Sequence, residues 1–379
     1  MIYAFHYLFR RLEALVIPRN SLLLATFLIS ATAVAAEPLP PVSAHTERIS
    51  VSGLSSGAAM ATQLSVAYSD RVAAVGMMAG PPYGCAQGAS RTAVINCLTM
   101  PIEYFGFELP AWMTGPRENI AADALIASAR RYAQAKQIPT LENLKQQKVW
   151  VSRGRLDKTV GPKATQAVQD FYQAFGAQLT PLDEPPVPHT LPTDKTGLGA
   201  CDGKQIDADY VSSCGIDNVG RMFGHLFGWP ASARGNAQAA SLKTFDQSPY
   251  IESSPGKKRS PEALSMATTG HVYIPASCAA GGCQVHVAIH GCQQGNDAAF
   301  DAYSRLGGYN EWAETHRLIV LYPRVIPSSL SPYNPRGCWD WWGYSPVDSS
   351  DLLAYAKRGA PQMLSIMNMV QALSLKPGN

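Results

Sequence analysis

Residues 48–68 read RISVSGLSSGAAMATQLSVAY, and three unlike patterns follow one another within them. The first five residues alternate and carry the β-branched Ile49 and Val51, so they predict a strand. Gly53-Leu54-Ser55-Ser56-Gly57 predicts a tight turn, and the small and apolar residues at 58–68 predict a helix. Another apolar run at 72–76 returns as a strand, which completes one βαβ unit of a parallel sheet. The turn fits G-x-S-x-G, the pattern of a nucleophile elbow. There a serine sits on a sharp strand-to-helix turn, glycines relieve the crowding, and Oγ stands at the carboxyl edge of the sheet under a helix N-terminus. A chemically idle glycine-rich turn can share these five residues. The flanking strand and helix favour Ser55 as nucleophile and the Ser56 N–H as an oxyanion donor.

A serine nucleophile needs a base, and the base needs an orienting carboxylate. The apolar run at 149–152 predicts another strand, and Asp157 follows it in VSRGRLDKTVGP, ahead of the helical KATQAVQDFYQAF. An Asx turn or helix cap before Thr159 is the plain alternative for Asp157. His189 stands in PPVPHTLPTD, where prolines on both sides favour a rigid loop presenting one side chain. Among the other histidines, His225 reads as a packed helical residue, while His271, His286 and His290 lie on or beside apolar runs, and His6 is in the leader. The order Ser55, Asp157, His189 is that of an α/β-hydrolase.

One part is out of place. In that fold the second oxyanion N–H follows a strand that precedes the nucleophile, yet only residues 36–54 come before Ser55 once the leader is set aside. A fitting segment lies downstream, where VHVAIHGC at 285–292 is an apolar strand ending in His-Gly. The expectation is a circularly permuted α/β-hydrolase with a mostly parallel central sheet flanked by helices, in which the Cys292 N–H is the second oxyanion donor. Apolar runs at 271–275 and 318–322 add strands. The closing stripe of Leu352, Leu353, Tyr355, Ala356, Met363, Ile366, Met367 and Val370 reads as core.

The chain has 379 residues, 46% hydrophobic and 16% charged, with a formal net charge of +3. This excludes a disordered or fibrous chain and argues against a nucleic-acid binder, which concentrates basic charge on one face. Arg10, Arg11 and Arg19 precede the apolar run SLLLATFLISATAVAA, which is shorter than the ~20 residues of a membrane span and ends in small residues. Residues 1–35 therefore read as a secretory signal, with an uncleaved anchor as the alternative. The remaining 36–379 is nearly neutral. It is expected to be one catalytic domain without stable membrane association, secreted or periplasmic, although the loop-like 248–261 is a candidate boundary. All eight cysteines follow the leader, an even count that predicts disulfides in an oxidising compartment. The pairs Cys85–Cys97, Cys201–Cys214 and Cys278–Cys283 close short loops and leave Cys292 for Cys338. A metal site of Cys278, Cys283, His286 and His290 is the alternative, against which no C-x-x-C pair is present.

GLSSGAAMATQLSVAYSD, HTLPTD, CGIDNVG, HVAIHGCQQ and NPRGCWDWWGY occur in this order over nearly the whole mature chain. Together they resemble secreted poly(3-hydroxybutyrate) depolymerases with a permuted catalytic domain. The resemblance implies a Ser55–His189–Asp157 triad, oxyanion donors at Ser56 and Cys292, and a tryptophan-lined crevice for polyester or oligoester at Trp339, Trp341 and Trp342. It calls for no metal and no cofactor, and the chain is expected to act as a monomer. Many relatives of this type carry a separate polymer-binding domain, and none is expected within 36–379. A carboxylesterase acting on feruloyl or acetyl groups of polysaccharides is the alternative enzyme, since a triad specifies acyl transfer and not the acyl group. A non-catalytic binding module is the alternative of another class.

Overall fold

The computed structural model describes residues 36–98, 121–202, 209–345 and 351–376, with the backbone of 103–104 and 107–108. The expected leader lies outside the described residues. The first half of the chain supplies β1 (His45–Leu54), α1 (Ser56–Ala67), β2 (Val72–Met78), α2 (Ala122–Gln134), β3 (Lys148–Ser152), α3 (Pro162–Gln173) and β4 (Gln178–Leu179). A small sheet of β5 (Leu191–Thr193), β6 (Gly199–Ala200) and β7 (Val211–Ser213) follows, then α4 (Asn218–Phe227). The second half adds β8 (Leu242–Asp246), β9 (Thr269–Tyr273), β10 (Gln284–Ile289), α5 (Tyr309–His316), β11 (Leu318–Tyr322) and α6 (Pro361–Leu373).

Eight strands form the central sheet in the order β8-β9-β11-β10-β1-β2-β3-β4. β9 alone runs against the direction of the other seven, so its pairings with β8 and β11 are antiparallel and the rest are parallel. The half that comes last in the sequence joins the half that comes first along β1 and β10, which is the permuted arrangement expected. Strands from both sides of 248–261 share this sheet, so that stretch connects parts of one fold. Register brings the strand ends level: Leu54 pairs with Met78, Met78 with Ser152, and Gly53 with Ile289. The segments that follow β1, β2, β3 and β10 therefore leave the sheet at one edge, where open α/β sheets place their sites.

Alternation along the strands builds a core on each face. Ile49, Val51, Val75, Val285 and Val287 pack with α1, α2 and α6. Ala74, Met78 and Ala288 pack with α4 and α5. On the second face Ser50 and Ser52 bond the two ring nitrogens of His286, each at 2.8 Å, and Tyr309 OH meets Ser52 Oγ at 2.8 Å. Burial drives the His286 pKa down to about 3, so the ring is neutral and its polar atoms are satisfied.

Two local expectations change. Tyr355, Met363, Ile366 and Val370 are core, but Leu352 is 68% exposed, because 352–353 form a turn ahead of the short helical turn Ala354–Ala356 and the regular helix α6 begins only at Pro361. His225 lies on α4 as expected but is only half-buried, with its Nε2 near the Gln178 carbonyl at 3.2 Å.

Candidate active site

From residue 49 to residue 69 every position is buried except Ser55. Its backbone sits at φ 56°, ψ −118°, a strained conformation for a residue with a Cβ, and it stands immediately before α1. The glycines around it are needed for close approach. A Cβ on Gly53 would lie 2.2 Å from the Gly57 carbonyl carbon, and one on Gly57 would lie 2.1 Å from the Ile289 carbonyl oxygen. Gly57 thereby presses the elbow against the end of β10, and a Cβ on Gly291 would stand 3.3 Å from Ser55 Cβ. The HGC loop at 290–292 and the serine are thus direct neighbours.

The peptide joining Gly291 to Cys292 has its direction set by His290. That ring is fully buried, with Nε2 accepting from the Val325 N–H at 3.1 Å, so the proton is on Nδ1 and is donated to the Gly291 carbonyl at 2.7 Å. Burial lowers the His290 pKa to about 4 and keeps this arrangement neutral. In a trans peptide the N–H points opposite to the C=O, so the Cys292 N–H faces away from His290. The Cys292–Cys338 disulfide ties the same loop to the tryptophan segment, where the Trp339 N–H donates to Ser56 Oγ at 3.3 Å.

Asp157 and His189 meet as expected, His189 Nδ1 lying 2.8 Å from Asp157 Oδ2 with both residues buried. The plain alternative for Asp157 holds at the same time, since Oδ1 accepts from the Thr159 and Val160 N–H groups at 2.7 and 2.9 Å. One carboxylate oxygen caps the turn and the other orients the imidazole. Burial pushes the Asp157 pKa up, but His189 and the two backbone donors outweigh it and hold the carboxyl below its ordinary value. Two further groups register these loops. A Cβ on Gly154 would lie 2.0 Å from the Val187 carbonyl oxygen, and the Leu156 N–H donates to that oxygen at 3.1 Å. The Arg153 guanidinium donates to the Val160 carbonyl at 2.8 Å and pairs with Glu184 at 3.1 Å. No hydrogen bond joins Ser55 Oγ to His189 among the described residues. Such contacts commonly tighten only when substrate binds.

All four expected disulfides are present, Cys85–Cys97, Cys201–Cys214, Cys278–Cys283 and Cys292–Cys338. The alternative metal site is thereby overturned, because its two thiols are bonded to each other and its two rings are engaged as described. The three tryptophans divide. Trp339 is fully enclosed 5.6 Å from the His290 ring, Trp341 is 7% exposed, and Trp342 is half-exposed. Their turn is organised by Asp340, a buried carboxylate that accepts from the Gly343, Tyr344 and Ser345 N–H groups at 2.7, 3.0 and 3.0 Å. Asp340 acts on backbone only three to five residues further along, a local turn that sequence reasoning missed, whereas the pairing of Arg153 with Glu184 depends on a segment brought near by the fold.

No protein-family profile matches the chain. A poly(3-hydroxybutyrate) depolymerase of Delftia acidovorans is 34% identical over 352 residues, which are 91% of this chain and 63% of that protein. A polyhydroxybutyrate depolymerase of Talaromyces funiculosus is 32% identical over 360 residues, 91% of this chain and 95% of the relative. The chain belongs to the polyhydroxybutyrate depolymerase family. Solved depolymerase structures have the same fold: one from Penicillium funiculosum superposes with a TM-score of 0.70 at 29% identity, covering 89% of this chain and all of the other. A PHB depolymerase in which a serine is replaced by alanine, complexed with the R3HB trimer, gives 0.69 at 29% identity over the same shares. The chain spans just under two thirds of the Delftia enzyme's length and nearly all of the fungal one.

Proposed function

We propose that the chain is a serine esterase that cleaves the ester bonds of poly(3-hydroxybutyrate) or its oligomers. The observation that carries this is the Asp157–His189 pair at the sheet edge where the strained, half-exposed Ser55 emerges, in a member of the depolymerase family. His189, its Nδ1 proton held by Asp157, takes the Ser55 Oγ proton at Nε2 as the oxygen attacks the ester carbonyl. The oxyanion is held by the N–H groups of Ser56 and Cys292, each worth about 3 kcal/mol in comparable sites. The imidazolium then protonates the departing alkoxide, leaving an acyl-enzyme. Water, deprotonated by His189, releases the hydroxyacid end. Of the three tryptophans, Trp342 is the most exposed and so the best placed to meet an uncharged polyester.

Four disulfides and the lack of a helix able to cross a membrane among the described residues accord with export. The reading is of a leader at 1–35 and a catalytic domain at 36–379 that acts as a monomer, secreted or periplasmic, without a cofactor. Product analysis on amorphous polymer, trimer and dimer tests it. Release of 3-hydroxybutyrate oligomers is expected. No release, with turnover of a feruloyl or acetyl ester instead, would transfer the enzyme to another substrate class.

A further inference from the structure

The glutamines of HGCQQ take no part in the mechanism above, yet they lie between its two halves. Gln294 is fully buried and both ends of its amide are used. Oε1 accepts from the Gly291 N–H at 2.5 Å, and Nε2 donates to the Asp209 carbonyl at 2.7 Å. The next residue of that second loop is Tyr210, whose ring stands edge-on to His189 with 6.3 Å between centroids. The Tyr210 carbonyl accepts from the Leu191 N–H at 2.9 Å, two residues beyond His189, where β5 begins its pairing with β7. Gln293 adds a parallel link, its Nε2 donating to Tyr210 OH at 2.9 Å and its N–H to the Arg336 carbonyl at 2.7 Å.

Gly291 therefore has both its peptides pinned. Its carbonyl is held by His290, and its N–H by Gln294. With both fixed, the Cys292 N–H that follows has one direction. The other end of the same glutamine amide holds the loop that seats the general base.

We infer that Gln294 is a positioning residue that couples the oxyanion hole to the general base, through a single side-chain amide bridging Gly291 and Asp209. The inference rests on the serine-esterase reading. A glutamine serving only to satisfy buried backbone groups would affect stability, whereas one that aims the oxyanion donor affects the chemical step in particular.

Gln294→Met removes both hydrogen bonds at nearly constant volume. It is expected to lower kcat on 3-hydroxybutyrate trimer by roughly 10- to 100-fold, less than the roughly 100- to 1,000-fold for removing an oxyanion donor outright because the donor is misaimed and not lost, while KM changes little. Gln294→Glu supplies the second measurement. A neutral carboxyl offers one acceptor and one donor and so replaces the amide, whereas the ionised form loses the donor toward Asp209. Burial favours the neutral form, so kcat relative to wild type at each pH is expected to rise as pH falls from 9 to 6. Taking that ratio removes any pH dependence common to both proteins.

Failure of the wild-type chain to cleave trimer would overturn the esterase reading itself. A wild type that cleaves, with Gln294→Met within threefold of its kcat, would overturn the coupling alone. A pH-independent ratio for Gln294→Glu would also overturn it, and decides the matter if Gln294→Met does not fold.

Discussion

Replacing Asp157 by asparagine changes one atom of the carboxyl, and the surrounding hydrogen bonds dictate how the new amide must sit. Oδ1 now accepts from two backbone N–H groups, Thr159 at 2.7 Å and Val160 at 2.9 Å, while Oδ2 faces His189 Nδ1 at 2.8 Å. An asparagine amide keeps its oxygen toward the two backbone donors. The reverse orientation would aim an NH2 group at two N–H groups and leave both donors unsatisfied, at about 1–3 kcal/mol each. The amide nitrogen is thereby directed at His189, which must accept at Nδ1 and carry its proton on Nε2. That tautomer has no lone pair for the Ser55 proton.

Restoring the productive tautomer thus costs about 2–6 kcal/mol, a loss of roughly 30-fold to 10⁴-fold at 1.4 kcal/mol per decade. The missing carboxylate also no longer stabilises the imidazolium in the transition state. Together these place the kcat of Asp157→Asn about 10⁴ below wild type, the size seen when other triads lose this charge. The Thr159 and Val160 caps survive, so the variant should fold. The assay is kcat on a soluble trimer at pH 8, with circular dichroism and the melting temperature measured alongside. A folded variant within tenfold of wild-type kcat would refute the tautomer argument and remove Asp157 from its role.

Gly154→Ala should separate the loops that carry Asp157 and His189, because its Cβ would lie 2.0 Å from the Val187 and 2.8 Å from the Pro188 carbonyl oxygen. Loss of about 1–3 kcal/mol in a denaturant titration, the usual cost of overpacking, is expected together with a fall in kcat; an unchanged midpoint would contradict the close approach. Acid should destabilise the fold earlier than its carboxylates alone would allow. Burial lowers the pKa of His271 to about 4, of His286 to about 3 and of His290 to about 4, against an ordinary 6.5. The unfolded chain takes up these protons below pH 6.5 and the native fold does not, so stability is full above 6.5 and falls as pH drops toward 4. At pH 5 the difference is about 2 kcal/mol for each ring. Asp157, whose carboxyl is held low, adds its own loss only below its ordinary value of 3.8. A urea midpoint that is flat between pH 7.5 and pH 5 would contradict this.

The parts of the site readable in the sequence are those whose geometry is local. The elbow is legible because strand, turn and helix follow within 48–68, and the strand end before His290 is legible because an apolar run and His-Gly adjoin. Their joining across β1 and β10 was inferred from what was missing before Ser55, and the sheet order agrees. What could not be read depends on register between distant segments. Gly154 matters because Val187 lies opposite it, Arg153 because Val160 and Glu184 come within reach, and Gln294 because Asp209 folds over it. Trp339 and Trp342 look alike in CWDWWGY. One is enclosed beside the His290 ring and the other half-exposed, in a turn that Asp340 holds through the N–H groups of Gly343, Tyr344 and Ser345. Leu352 fits the apolar stripe but lies in a turn outside the helix that carries Met363, Ile366, Met367 and Val370.

The central claim is that Ser55 carries the acyl group, and trapping the intermediate tests it most directly. The protein is mixed with 3-hydroxybutyrate trimer, quenched in acid during turnover, digested and mapped by mass. The account predicts a hydroxybutyryl adduct on the peptide containing Ser55, and neither adduct nor turnover in Ser55→Ala. An adduct on another residue, or turnover by Ser55→Ala near the wild-type rate, would contradict it.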